Sequence, residues 1–322
     1  MDTQEFAAVK AQFTPWLTRL SGGQVDELKA ELAQCTSLAD CIAIIEERGA
    51  KMRACPDCHG VKLYRHGVYY GLQRYRCRQC HRSFNALTNT PLAFIRLRDK
   101  WLPFLQCMLG SMTVRAAAEA IGIHRNTSFR WRHRFLAMAK EDRPRPLGGI
   151  VEVDETYLLE SQKGSRQLTR PARQRGGKSS RRGINSEHDC IVIARSRYGP
   201  TCDFVTGRGP VTKAQLHGCL PPILAAGVIL TTDGAAAYKA FARDARIEHR
   251  PVNLRQGVRV DGIFHVQTVN HYHSRFRNWL LRFHGVASRY LPHYLGWLHE
   301  LVCRRISRPQ QFLRAALLPA GT

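Results

Sequence analysis

The chain has 322 residues, 44% of them hydrophobic, with 49 Lys+Arg against 25 Asp+Glu and a formal net charge of +24 at pH 7. The apolar share supports ordinary globular cores, excludes long disorder as the main state, and with the length predicts two or three domains. The charge excess selects polyanionic partners, with nucleic acid first. No run of about 18 apolar residues exists and MDTQEFAAVK lacks a signal-peptide core, so no membrane partner is expected and a cytoplasmic chain with reduced thiols is predicted.

Residues 1–50 alternate apolar and charged positions at helical spacing (Phe6, Val9, Phe13, Leu17, then Val25, Leu28, Leu32) and predict two or three short helices in an N-terminal helical region. Residues 51–95 contain two knuckles, Cys55-Pro-Asp-Cys58 and Cys77-Arg-Gln-Cys80. A C-x2-C turn puts two thiolates on one side, and two such turns close a tetrahedron around Zn2+. Between them, Gly60 to Arg76 is rich in Gly, Val and Tyr and predicts a β-hairpin, which completes a zinc-ribbon plan. His59 and His81 flank the knuckles as solvated neighbours, because four thiolates already fill the site. The seven scattered cysteines read as structural thiols.

Residues 96–143 predict a helical DNA-binding region. Val114 to Ile121 is an Ala-rich helix, Gly122-Ile123 a turn, and His124 to Leu136 a second helix carrying Arg125, Arg130, Arg132 and Arg134. That is a helix-turn-helix pattern, although a helical hairpin with a solvated basic face has the same spacing. Pro144 to Gly149 is a linker. From 150 to 305 the pattern becomes strands at 150–158, 188–196 and 201–207, a helix at 211–220, a strand at 227–234, a helix at 235–245, a short strand at 248–253 and a long helix from Thr268. This order predicts a mixed α/β sheet flanked by helices, as in ribonuclease-H-like domains. An insertion at 163–183 holds Arg173, Arg175, Lys178, Arg181 and Arg182. With no acid in 163–182, it reads as a flexible segment that settles on a phosphate backbone. A second basic surface is expected within 271–322, where Arg275 and Arg277 follow the start of the long helix, and 306–322 is a C-terminal tail.

Asp154 lies in an apolar strand and Asp233 ends another. A carboxylate in a core strand is costly unless paired. On neighbouring strands the two would repel, and Mg2+ or Mn2+ relieves that repulsion. Each aspartate alone also reads as a turn or cap residue, Asp233-Gly234 being a common turn pair. Glu152 shares the strand face of Asp154 and could assist a metal, whereas Glu155 points the other way.

CPDC…CRQC, SFNALTNTPL, VEVDETY, TTDG and VNHYHSRFRNWLLRFHGVASRYLPHYLGW, in this order across about residues 50–300, resemble the bacterial insertion-sequence DDE-type transposases of the ISXO2-like branch. The resemblance implies metal-dependent DNA cleavage at element ends and strand transfer into target DNA. Catalysis and Mg2+ binding fall on Asp154, Asp233 and a third residue where the family often has Glu. That place is Asn270 here, with His273 on the same helical face as the alternative. The resemblance also implies double-stranded DNA partners (terminal inverted repeats and target), a homo-oligomer on DNA and association with the nucleoid during action. Two rivals remain: a sequence-specific DNA-binding protein whose ribonuclease-H-like domain is inactive, and a ribonuclease-H-like nuclease without strand transfer.

Overall fold

The computed structural model describes residues 2–17, 19–139, 146–174, 176–252, 257 and 260–317. Part of the 144–149 linker, Arg175, Asn253 and residues 318–322 lie outside them. The chain divides into two compact units. Of the described residues, the first comprises those within 1–112, 117–124 and 308–317, and the second those within 113–116 and 125–307.

In the first unit the N-terminal region forms two helices, α1 (Thr3–Leu17) and α2 (Gly22–Ala50), within the number expected, although the second, at 29 residues, is not short. Ser21 and Gln24 start α2 with a reciprocal capping box, so the second helix begins where hydroxyl and amide satisfy orphan backbone donors. The hairpin follows as β1 (Leu63–Tyr69) and β2 (Leu72–Cys77), with β3 (Ser83–Phe84) added on the far side of β2. Tyr70 and Gly71 make the two-residue turn, both with positive φ (47° and 75°), as a primed hairpin turn requires. A Cβ at Gly71 would also meet Ile42 Cδ1 at 2.7 Å, so a side chain there would push the end of Ile42 aside. The helix α3 (Trp101–Leu109), α2 and α10 (Pro309–Leu317) pack together. They bury Ile44, Ile45, Trp101, Phe104, Phe312 and Leu313. The segment 306–322, expected as a tail, therefore carries a helix that belongs to this core. α4 (Val114–Ala120) spans the division between the units.

In the second unit α5 (Arg125–Phe135) precedes a five-stranded sheet of β4 (Ile150–Leu159), β5 (His188–Ser196), β6 (Thr201–Arg208), β7 (Ile229–Thr232) and β8 (Glu248–Pro251). The order is β6-β5-β4-β7-β8; the first three strands are antiparallel, and β4, β7 and β8 are parallel. α6 (Lys213–Cys219) and α7 (Ala236–Asp244) cover one face, where Val151, Val153, Val192, Ala194 and Leu230 meet Leu216, Tyr238 and Phe241. α8 (Gln267–Leu281) and α9 (Leu291–Val302) cover the other face. Strand alternation sorts β4 accordingly. Val151, Val153, Glu155 and Tyr157 face α6 and α7, and Glu152, Asp154 and Thr156 face α8.

Candidate active site

β4 and β7 bring the two aspartates together. Thr231 pairs with Glu152 in parallel register, and two further residues along both strands place Asp233 beside Asp154. Asp233 Oδ1 accepts from the Ala235 amide (2.9 Å), and Gly234, at φ 80°, donates its amide to Thr232 Oγ1 (3.0 Å), so a tight turn holds this end of β7. Burial pushes the Asp154 carboxyl up to about 7, and the charges of Glu155 and Asp233 add to the effect. Glu155 does point to the opposite face, where the hydroxyls of Tyr238 and Tyr157 donate to it. Its carboxyl is nevertheless raised, by burial first and also by Asp233. Strand alternation assigns Glu155 a face but gives no sign that its charge reaches both aspartates.

α8 lies along β4 with matched pitch. Thr268 and Val269 meet Glu152, His273 meets Asp154, and Arg277 meets Thr156. Two strand residues advance about 6.7 Å, and four or five helical residues advance about 6–7.5 Å. His273 Nδ1 stands 3.7 Å from Asp154 Oδ2. Burial, with Arg277, lowers His273 to about 4, so its imidazole is neutral at pH 7. Its Nε2 is buried without a hydrogen-bond partner among the described residues. Asn270 is exposed in the first turn of α8, one turn before His273 on the same face.

Glu152 requires a correction. It is fully buried and already committed: it accepts from the backbone amides of Thr268 (2.8 Å) and Val269 (3.1 Å) and from Thr268 Oγ1 (2.9 Å), and it pairs with His265 (3.2 Å) and Arg197 (3.3 Å). Val266, at the N-cap of α8, has no side-chain acceptor, so the strand carboxylate supplies the missing cap and faces the positive end of the helix dipole. It anchors α8 and is not available to a metal.

The four cysteine sulfurs converge. Cys55 Sγ lies 3.7 Å from Cys80 Sγ and Cys58 Sγ 3.6 Å from Cys77 Sγ. A tetrahedron with Zn–S bonds of about 2.3 Å has edges of about 3.8 Å, so the donor set fits zinc. The backbone amide of Cys80 is the main cause that lowers the Cys77 thiol to about 7, and the Gln79 amide helps. His59 and His81 are exposed, each at positive φ just past its knuckle. Among the described residues, these cysteines are the one group of three or more His, Cys, Asp or Glu whose ligand atoms lie within 4.8 Å of one another.

The basic residues separate into two kinds. Arg125 and Arg130 are exposed on α5, and Arg134 is half-buried. Arg132 is a second correction: it is 1% exposed, with its guanidinium over the rings of Trp297 (4.9 Å) and Phe283 (5.6 Å) and donating to Tyr294 Oη at 3.3 Å. It cannot reach DNA; it holds α5 to α9. The insertion is not loose where it is described. Glu160, 3% exposed just past the end of β4, pairs with Arg170 (2.7 Å), Arg208 (3.1 Å) and Arg173 (3.6 Å), and Arg173 also pairs with Glu187. Lys178, Arg181 and Arg182 are exposed, and Arg175 is outside the described residues. On α8, Arg275 is exposed, and Arg277 donates to Thr156 Oγ1 (2.8 Å) and the Tyr157 carbonyl (3.3 Å).

A mixed sheet with one carboxylate midway along β4 and another just past the end of the parallel neighbour β7, in a chain that also bears a four-cysteine cluster, defines the class. The family model described as an ISXO2-like transposase domain matches residues 146–299. An uncharacterized protein in transposable element ISH50 of Halobacterium salinarum is 30% identical over 244 residues, which cover 75% of this chain and 82% of the relative. The chain belongs to the ISXO2-like insertion-sequence transposases. Among solved structures, a Mos1 transposase paired-end complex with left transposon end matches at 16% identity and TM-score 0.21, covering 62% of this chain and 75% of that one. A pre-cleavage Mos1 transpososome matches at 14% and 0.19, covering 66% and 76%. Likeness at TM-scores this low has no bearing on the chemistry of this chain. No described helix is long and apolar enough to cross a membrane.

Proposed function

We propose that this transposase cuts DNA at the ends of its element and joins the freed 3′ ends to target DNA, with Asp154, Asp233 and Asn270 as the catalytic set in a ribonuclease-H-like domain. The observation that supports the reading is the parallel β4–β7 register, which, continued two residues beyond the Glu152–Thr231 pair, brings Asp233 just past the end of β7 level with Asp154 midway along β4. The donor set, two carboxylates and an amide oxygen, suits a hard cation, which would relieve the penalty that burial, Glu155 and Asp233 place on ionised Asp154. Mg2+ or Mn2+, held by Asp154 and Asp233, would supply Lewis-acid chemistry for in-line phosphoryl transfer. The residues of the chain do the rest. Asn270 completes or orients the site, and neutral His273 packs against Asp154 so that α8 cannot drift from β4. Water attacks the end phosphodiester, its P–O bond breaks, and a 3′ hydroxyl is released. That hydroxyl then attacks a target phosphodiester, forming one P–O bond as another breaks.

The zinc ribbon, together with Arg125 and Arg130 of a helix-turn-helix, would read terminal inverted repeats. Lys178, Arg181, Arg182, Arg275 and Arg277 would grip phosphates without regard to sequence. Replacement of the expected acid by Asn270 is the observation that favours the rival of an inactive domain. One assay decides between them: cleavage of a terminal-repeat duplex with Mn2+, followed by joining of a labelled 3′ end to plasmid. Asp233→Asn is expected to abolish both steps while DNA binding persists. Loss of binding as well would give Asp233 a folding role, absence of cleavage by the wild type would favour the inactive domain, and cleavage without joining would favour a simple nuclease. Asn270→Glu is expected to raise activity; if Asn270→Ala is silent, the third position lies elsewhere.

A further inference from the structure

α1 has no buried residue, although it carries two phenylalanines and a tryptophan. Phe6, Val9, Phe13 and Trp16 are 55, 45, 52 and 62% exposed, and Leu32 of α2 is 67% exposed. Their spacing is more informative than their number. Positions 6, 9, 13 and 16 follow steps of three, four and three, and the same alternation runs through Val25, Leu28 and Leu32 and on to Ala39 and Ile42 in α2. Each helix thus carries its own narrow seam of period 3.5, the frame breaking between Trp16 and Val25 where α1 ends and α2 begins, and such a seam suits a contact between helices rather than the wider stripe of a helix lying on a globular core.

Charge excludes DNA as the occupant of this seam. Residues 1–50 hold eight Asp+Glu and four Lys+Arg in a chain of net charge +24, so this end is acidic and would repel phosphate. The flanks of the α1 seam point to the occupant. With Phe6 and Phe13 at the first apolar position of the repeat, Glu5 and Lys10 fall on opposite flanks five residues apart. That is the offset at which one helix meets a parallel copy of itself, so Glu5 of each copy faces Lys10 of the other. We infer that α1 and the N-terminal half of α2 are the dimerisation surface of this protein, occupied by the same helices of a second copy, and that the dimer forms without DNA.

Sedimentation equilibrium of the full chain in the absence of DNA tests this. A species of twice 36.6 kDa is expected. Phe13→Asp is expected to convert it to the 36.6 kDa species with helical circular dichroism retained. Glu5→Lys is expected to weaken the dimer about 2–5-fold. Adding Lys10→Glu to that variant is expected to restore it, because reversing both partners regains the pair only when the surface meets itself. A monomer at every concentration, as a different protein partner would give, overturns the inference. So does a dimer indifferent to Phe13→Asp. If Phe13→Asp loses its helices, the charge reversal decides alone, and failure of the double variant to recover overturns the inference.

Discussion

Glu152 and Asp154 are two residues apart on the same face of one strand, yet their environments divide their tasks. Glu152 spends its oxygens on α8 backbone amides, Thr268, His265 and Arg197, whereas Asp154 faces Asp233 with a raised carboxyl. Glu152→Gln is therefore expected to cost about 2–3 kcal/mol in urea unfolding. The rise in melting temperature produced by Mn2+ should be retained, and its loss would return Glu152 to the metal. Arginines on α5 divide in the same way. Arg132→Ala removes a buried guanidinium that lies over two aromatic rings and is expected to destabilise the protein by about 2–4 kcal/mol. Arg130→Ala, on the exposed side, is expected to lower affinity for terminal-repeat DNA with the melting temperature unchanged.

At the scale of elements, α5 is attached to the helices that follow the sheet. His133 stacks on Tyr290 at 3.9 Å, and its Nδ1 shares a hydrogen bond with His293 Nδ1 at 2.7 Å. Burial pushes His133 down to about 3, and His293, Arg132 and Arg289 add like charge. The folded value lies below the unfolded value near 6.5, so between the two the unfolded chain binds more protons and stability rises with pH. Acidification from pH 7 to 5 is expected to cost about 1–2 kcal/mol through this residue. Urea midpoints at the two pH values should differ less in His133→Phe than in wild type; an equal difference would show that His133 is not the group responsible. Most elements are legible from pattern alone. Strand alternation, the Asp233-Gly234 turn and the Gly122 turn each have strong local signals, and the predicted bounds lie within a few residues of β4 to β8 and α4 to α8. The N-terminal region reads as two or three short helices; the structure has two, and the second runs on to Ala50 where its C-terminal part packs on α3 and α10, a contact that no local spacing announces.

Over the whole molecule, the net charge of +24 is not spread evenly in kind. Some arginines neutralise buried carboxylates, as Arg170, Arg173 and Arg208 do around Glu160, and others face solvent. Only the second group can release counterions from DNA. Lys178→Ala, Arg181→Ala and Arg182→Ala are each expected to reduce the slope of log affinity against log salt by about 1. Fluorescence anisotropy on a random duplex measures this, and an unchanged slope in the triple variant would make the insertion a bystander. By itself the amino-acid sequence determined the cysteine knuckles and most of the strand and helix order, because these are written in spacing along the chain, while its motifs carried the resemblance to the family and, through it, the expectation for the two aspartates. Tertiary structure alone decided which charges are spent. Whether Glu152, Arg132 or Arg173 meets solvent, a helix end, an aromatic pair or a counter-ion depends on residues that range from about a dozen positions away for Arg173 to more than a hundred for Glu152 and Arg132, and no local spacing encodes that.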